Sequence, residues 1–93
     1  MITPIHPGEV LQADFLDPFG ITQHKVAEEI GVSPRRINES VHGRRGISAD
    51  TALRLASYFG TTPRFWMNLQ SNYELRVARM KVAEDLEHIN PRT

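Results

Sequence analysis

The sequence predicts an all-α fold of five helices, the last far longer than the others. Three observations predict it. Apolar residues recur at steps of three and four through every regular segment; Thr22, Ser33, Ser48 and Thr62 each stand just before such a run as N-caps; and Gly31, Gly43 and Gly60 stand just after one. With 93 residues there is room for one core, so residues 1–93 are expected to form a single domain.

Taken in order, Pro7 fits a first helical position and Glu9 the first turn, where the helix dipole favours a carboxylate; Val10, Leu11 and Phe15 make the apolar stripe, and Pro18 and Gly20 end this helix. Thr22 caps a second helix with the face Val26, Ala27, Ile30. Ser33 caps a third, with Pro34 at its first position and Ile37 and Val41 pointing one way. Ser48 caps a fourth, running through Ala52, Leu55, Ala56 and Phe59. Thr62 and Pro63 open the fifth, in which Trp66, Leu69, Tyr73, Val77, Met80 and Ala83 step by three and four and nothing breaks the pattern before Pro91.

That fifth helix spans about 25 residues, or roughly 38 Å at about 1.5 Å per residue. A compact chain of this size has a radius of gyration of about 12 Å, so part of the helix overhangs. An overhanging stripe needs a partner, and the simplest is a second copy across a two-fold axis. Tyr73, Val77, Met80 and Ala83 are the expected homodimer interface, on a dimerisation helix of about residues 63–89; the alternative is that residues past Arg79 fray or fold back.

Composition narrows the function. Forty per cent apolar and 24 per cent charged residues describe an ordinary soluble chain, and no run approaches a membrane span or a secretory signal, so a cytoplasmic protein without membrane contact is expected. Without cysteine there is no disulfide, thiolate nucleophile or cysteine zinc site. No pair of His6, His24, His42 and His88 has metal-ligand spacing, so no metal is expected. Nor is there a nucleophile with a base, a phosphate-binding glycine loop or a paired-carboxylate site; no catalytic residue, cofactor or enzymatic activity is expected. The aromatic cluster around Trp66 reads as core.

The net charge of zero hides a division: residues 1–32 carry −4, residues 33–54 carry +3 and residues 55–93 carry +1. A local arginine cluster on a neutral chain points to a directed anion-binding surface. The acidic first block reads as a solvated face or one that meets a basic protein.

The stretch from Gln23 to Gly43, QHKVAEEIGVSPRRINESVHG, carries the functional signal. Ala27 suits a close helix crossing, Gly31 takes the positive φ of a tight turn, and Val26, Ile30, Val32, Ile37 and Val41 fix the crossing. Residues 22–43 therefore read as a helix-turn-helix of the repressor type, in which the second helix enters the major groove of double-stranded DNA. On a helical wheel centred on Ile37, Arg35, Glu39 and His42 face outward, with Arg36 and Asn38 on the flanks. Ser33, Arg35, Arg36, Asn38 and Glu39 are the expected base-reading set, since arginine pairs with guanine, asparagine with adenine and glutamate with cytosine. Arg35 and Glu39, four apart, are also placed to pair with each other. Thr22, Gln23, Arg44 and Arg45 flank that helix as expected phosphate contacts; the alternative for Arg45 is a bond to carbonyls at a helix end.

On HPGEVL (6–11), FLDPFGITQ (15–23), EEIGVSPRRIN and above all HGRRGISADTALRLASYFGTTPRFWMNLQSNYEL (42–75), the chain resembles the HigA (VapI-like) antitoxin family within the XRE-type helix-turn-helix proteins. The resemblance implies a bacterial, dimeric repressor that binds operator DNA, represses its own operon and neutralises a cognate mRNA-cleaving toxin of RelE/HigB-like fold. It does not locate the toxin-binding surface. An orphan regulator, or a protein-binding module that reads no DNA, is the alternative. One departure is Ser40, where such sequences usually carry an apolar residue; the expectation is weaker packing behind the reading helix, or packing shifted toward Val41.

Overall fold

The computed structural model describes residues 4–92. Its elements are α1 (Pro7–Val10), continued without a break by a π-helical segment (Leu11–Leu16), then α2 (Gln23–Ile30), α3 (Pro34–Val41), α4 (Ala49–Phe59) and α5 (Pro63–Glu87). Thr22, Ser33, Ser48 and Thr62 each accept a backbone N–H at the start of their helix. Pairing four helix-end donors in this way fixes where each helix starts, so the boundaries follow the caps.

The first helix is capped by His6. His6 Nδ1 accepts the Gly8 N–H at 2.9 Å, and Glu9 reaches back to the His6 N–H at 2.9 Å, closing a capping box. The His6 ring is buried, edge-on to Tyr73 of α5 with ring centroids 4.8 Å apart.

The π-helical segment corrects the stripe expected for the first helix. Leu11 and Leu16 are both fully buried. In α-helical winding, residues five apart point about 140° away from each other. Here hydrogen bonds reach five residues back, as from the Asp17 N–H to the Gln12 carbonyl at 2.9 Å, and bring positions 11 and 16 onto one face. Val10 and Phe15 are only partly buried.

Leu11, Leu16, Val26, Ala27, Ile30, Ile37, Ile47, Ala52, Leu55, Ala56 and Trp66 form one core drawn from every helix. Trp66 is wholly buried, and its indole N–H donates to Thr61 Oγ1 at 2.7 Å. Ser40 is 1% exposed, more buried than Val41 beside it, so packing is not shifted away from the serine. The reason lies opposite: α1 approaches so closely that a Cβ on Gly8 would stand 1.7 Å from the Ser40 carbonyl oxygen. Gly8 is thus a contact glycine inside a helix, unlike Gly31, Gly43 and Gly60, which follow helix ends.

The molecule is 50 Å long and 25 by 21 Å across, with a Cα radius of gyration of 15.7 Å. The excess over compact scaling is the overhang of α5, along which every residue from Ala78 to the helix end is exposed. No helix among the described residues is long and apolar enough to cross a membrane.

Candidate nucleic-acid interface

The turn between α2 and α3 is built by Gly31, whose φ of 77° an L side chain adopts only with strain. Its N–H bonds the Glu28 carbonyl and the Val32 N–H bonds the Ala27 carbonyl, so the backbone reverses direction within three residues. Ser33 then starts α3, its Oγ accepting the Arg36 N–H at 3.2 Å. Ala27, with no exposed surface, lets the two helices approach. This geometry leaves Ser33, Pro34 and Arg35 exposed at the start of α3.

Arg35 is the most open of the charged members of the expected reading set, with 86% of its side chain exposed. Glu39 accepts from Arg35 Nε at 3.2 Å and from Arg45 at 2.9 Å, so one carboxylate gathers two guanidinium groups on the outer face of α3. The hydrogen bond from Arg45, joined by that from Arg35, holds the Glu39 carboxyl below its usual range, and it stays an anion. Arg45 is therefore tied to the reading helix by Glu39 and not, as the alternative had it, to helix-end carbonyls. Arg44 is exposed beside it.

Arg36 is placed differently. Only 29% of its side chain is exposed, and Nη1 lies 3.3 Å from Asp50 of α4. Asp50 also accepts from Arg54 at 3.0 Å, and Arg54 in turn donates to the Ile30 carbonyl at 2.8 Å, closing the end of α2. This Arg36–Asp50–Arg54 group joins the reading helix to α4. Two of the five arginines of residues 33–54 thus face the scaffold, which the sequence did not reveal because Asp50 lies 14 positions from Arg36.

Asn38 belongs to a second group. Its amide N–H donates to Gln23 Oε1 at 3.1 Å, Gln23 Nε2 donates to Gln12 Oε1 at 3.0 Å, and Gln12 Nε2 donates to Asp17 Oδ1 at 2.5 Å. Gln23, expected at a phosphate, is thus also a brace for Asn38. Gln12 and Asp17 were not among the expected site residues. They are five apart, and only the π-helical winding brings them together.

Of the expected dimer residues, Met80 and Ala83 are exposed, whereas Tyr73 and Val77 are partly buried, Tyr73 against His6 of the same chain. A second apolar stripe, Leu75, Val82 and Leu86, spaced by seven and four, is exposed along α5 on the side opposite the stripe that runs through Trp66 and Met80.

Residues 13–66 match the helix-turn-helix family. The chain is 48% identical over 86 residues to virulence-associated protein I of Dichelobacter nodosus, covering 92% of this chain and 76% of that protein. It is 34% identical over 88 residues to antitoxin HigA-1 of Vibrio cholerae, covering 95% and 83%. The structure of Pseudomonas aeruginosa antitoxin HigA with the higBA promoter superposes with a TM-score of 0.93 at 46% identity, over 97% of this chain and 99% of that one. The chain belongs to the HigA family of helix-turn-helix antitoxins. The helix-turn-helix match ends at Trp66, but likeness to the HigA family continues along α5, so the overhanging helix is part of the family's architecture.

Proposed function

We propose that the chain is a sequence-specific DNA-binding antitoxin that represses its own operon and neutralises an mRNA-cleaving toxin of RelE/HigB-like fold. The observation that carries the DNA reading is the exposure of the start of α3 at Ser33, Pro34 and Arg35. Arg35 extends into solvent there, and the neighbouring Asn38 keeps one amide N–H and its oxygen unengaged among the described residues. Arg35 suits the paired acceptors of guanine, and Asn38 the donor and acceptor edge of adenine. Ser33 and Glu39 border the same edge, with Glu39 aiming Arg35, while Arg36 steadies the helix from its flank. Thr22, Gln23, Arg44 and Arg45 lie where backbone phosphates would set register. Likeness to HigA-1, and to a HigA solved with its promoter, supports the antitoxin and operator assignments.

The working unit is a homodimer joined along α5. Met80 and Ala83 are exposed along α5 beside partly buried Tyr73 and Val77, and a second copy laid on this face would cover them while presenting two reading helices to a two-fold operator. The test is a gel shift on the duplex immediately upstream of the gene, at two salt concentrations with an unrelated duplex as competitor. Binding that survives the competitor is expected. Its absence would leave a helix-turn-helix module that reads no DNA. Rescue of growth when the chain is co-expressed with the product of a small basic reading frame adjoining its gene tests the toxin assignment.

A further inference from the structure

The chain of bonds from Asp17 to Asn38 has a direction. A carboxylate only accepts, whereas each primary amide has one accepting and one donating end of nearly the same shape. Asp17 therefore obliges Gln12 to present its N–H and turn its oxygen to Gln23. Gln23 must then donate to Gln12 and turn its own oxygen to Asn38, so Asn38 donates to Gln23 and keeps its oxygen and second N–H free. Those two atoms are the pair an adenine edge requires. Reversed, the chain would occupy the Asn38 oxygen and leave donors alone.

We infer that Asp17 and Gln12 are positioning residues for sequence reading: through Gln23 they set the amide polarity of Asn38, fixing which base edge it accepts. This rests on the proposal that Asn38 meets a base. The π-helical segment is what makes the device, because α-helical winding would separate positions 12 and 17 by about 140°. Among the described residues Asp17 bonds to Gln12 and to no member of the expected reading set, so its influence on specificity would pass through Gln12.

The test uses the full chain and the duplex upstream of its own gene, with a panel of single-base-pair variants of that duplex, titrated at fixed salt. Asn38→Ala is expected to lower discrimination at one base pair of each half-site by roughly tenfold. Asp17→Asn, nearly identical in shape, removes the obligatory acceptor; it and Gln12→Ala are expected to lower discrimination at that same base pair and no other. The exchange Gln12→Glu with Asp17→Asn restores an acceptor-only group next to Gln23 and keeps the total charge, so it is expected to recover the wild-type profile. A general loss of folding would instead weaken binding at every position. If Asn38→Ala changes the profile while Asp17→Asn and Gln12→Ala do not, the relay is refuted and the reading by Asn38 stands. If Asn38→Ala leaves the profile untouched, the base contact itself is refuted and the relay with it.

Discussion

Gly8 of α1 packs directly on the backbone of Ser40 in α3, so closely that a single added methyl carbon would fall 1.7 Å from the Ser40 carbonyl oxygen and 2.9 Å from the Val41 Cα. The first helix thereby fixes the far end of the reading helix. Because the neighbour is backbone, no rotamer change relieves the clash. Gly8→Ala is expected to cost at least about 2 kcal/mol, a fall in Tm of roughly 8 to 16 °C for a domain of this size by circular dichroism. A variant melting with the wild type would show that the two helices do not touch this way.

Arg35 and Arg36 adjoin in sequence and differ in role. Arg35→Ala is expected to weaken specific binding by roughly 1 to 3 kcal/mol without altering Tm. Arg36→Ala removes a partly exposed ion pair to Asp50, so it should lower stability by no more than about 1 kcal/mol and reduce affinity less than Arg35→Ala does. Titrations of both variants on the upstream duplex, with melts, decide this; a larger affinity loss from Arg36 would move base reading to the flank of α3.

Arg44→Ala probes phosphate contact. The logarithmic slope of affinity against salt should flatten by about one unit, equally on specific and unrelated duplexes. An unchanged slope would take Arg44 away from the DNA backbone.

His6 gives the fold an acid sensitivity. Burial pushes its imidazole below the usual value against the opposing pull of Glu9, and its Nδ1 must stay unprotonated to accept the Gly8 N–H. The folded state binds the proton less readily than the unfolded chain. The contribution is therefore complete above the unfolded value of about 6.5 and is lost progressively as pH falls from there toward the lower folded value. His6→Asn keeps a capping acceptor and does not titrate, so between pH 7 and 5.5 its Tm should fall less than that of the wild type. Parallel curves would contradict the assignment.

The overhang of α5 predicts self-association. Sedimentation at micromolar concentration should give a dimer, and Met80→Glu combined with Ala83→Glu should give a folded monomer with much weaker operator binding. A wild-type chain that sediments as a monomer would leave the exposed stripes without this explanation.

Local chemistry made most of the architecture legible. The caps at Thr22, Ser33, Ser48 and Thr62, the glycine turn at Gly31 and the apolar spacing act within a few residues, so five helices, their starts, the helix-turn-helix and the overhang of α5 could be read directly, as could the outward face carrying Arg35 and Glu39. What tertiary structure decided were relationships between residues whose spacing follows no helical period or spans separate elements. Gln12 and Asp17 meet because the first helix is wound in the π form, which spacing does not announce and which places both Leu11 and Leu16 in the core. Arg36 is drawn to Asp50, and Gly8 meets Ser40, because helices remote in sequence cross there. Periodicity says which face a residue occupies; which partner waits across that face is settled only when the helices pack and the buried contacts must all be satisfied together.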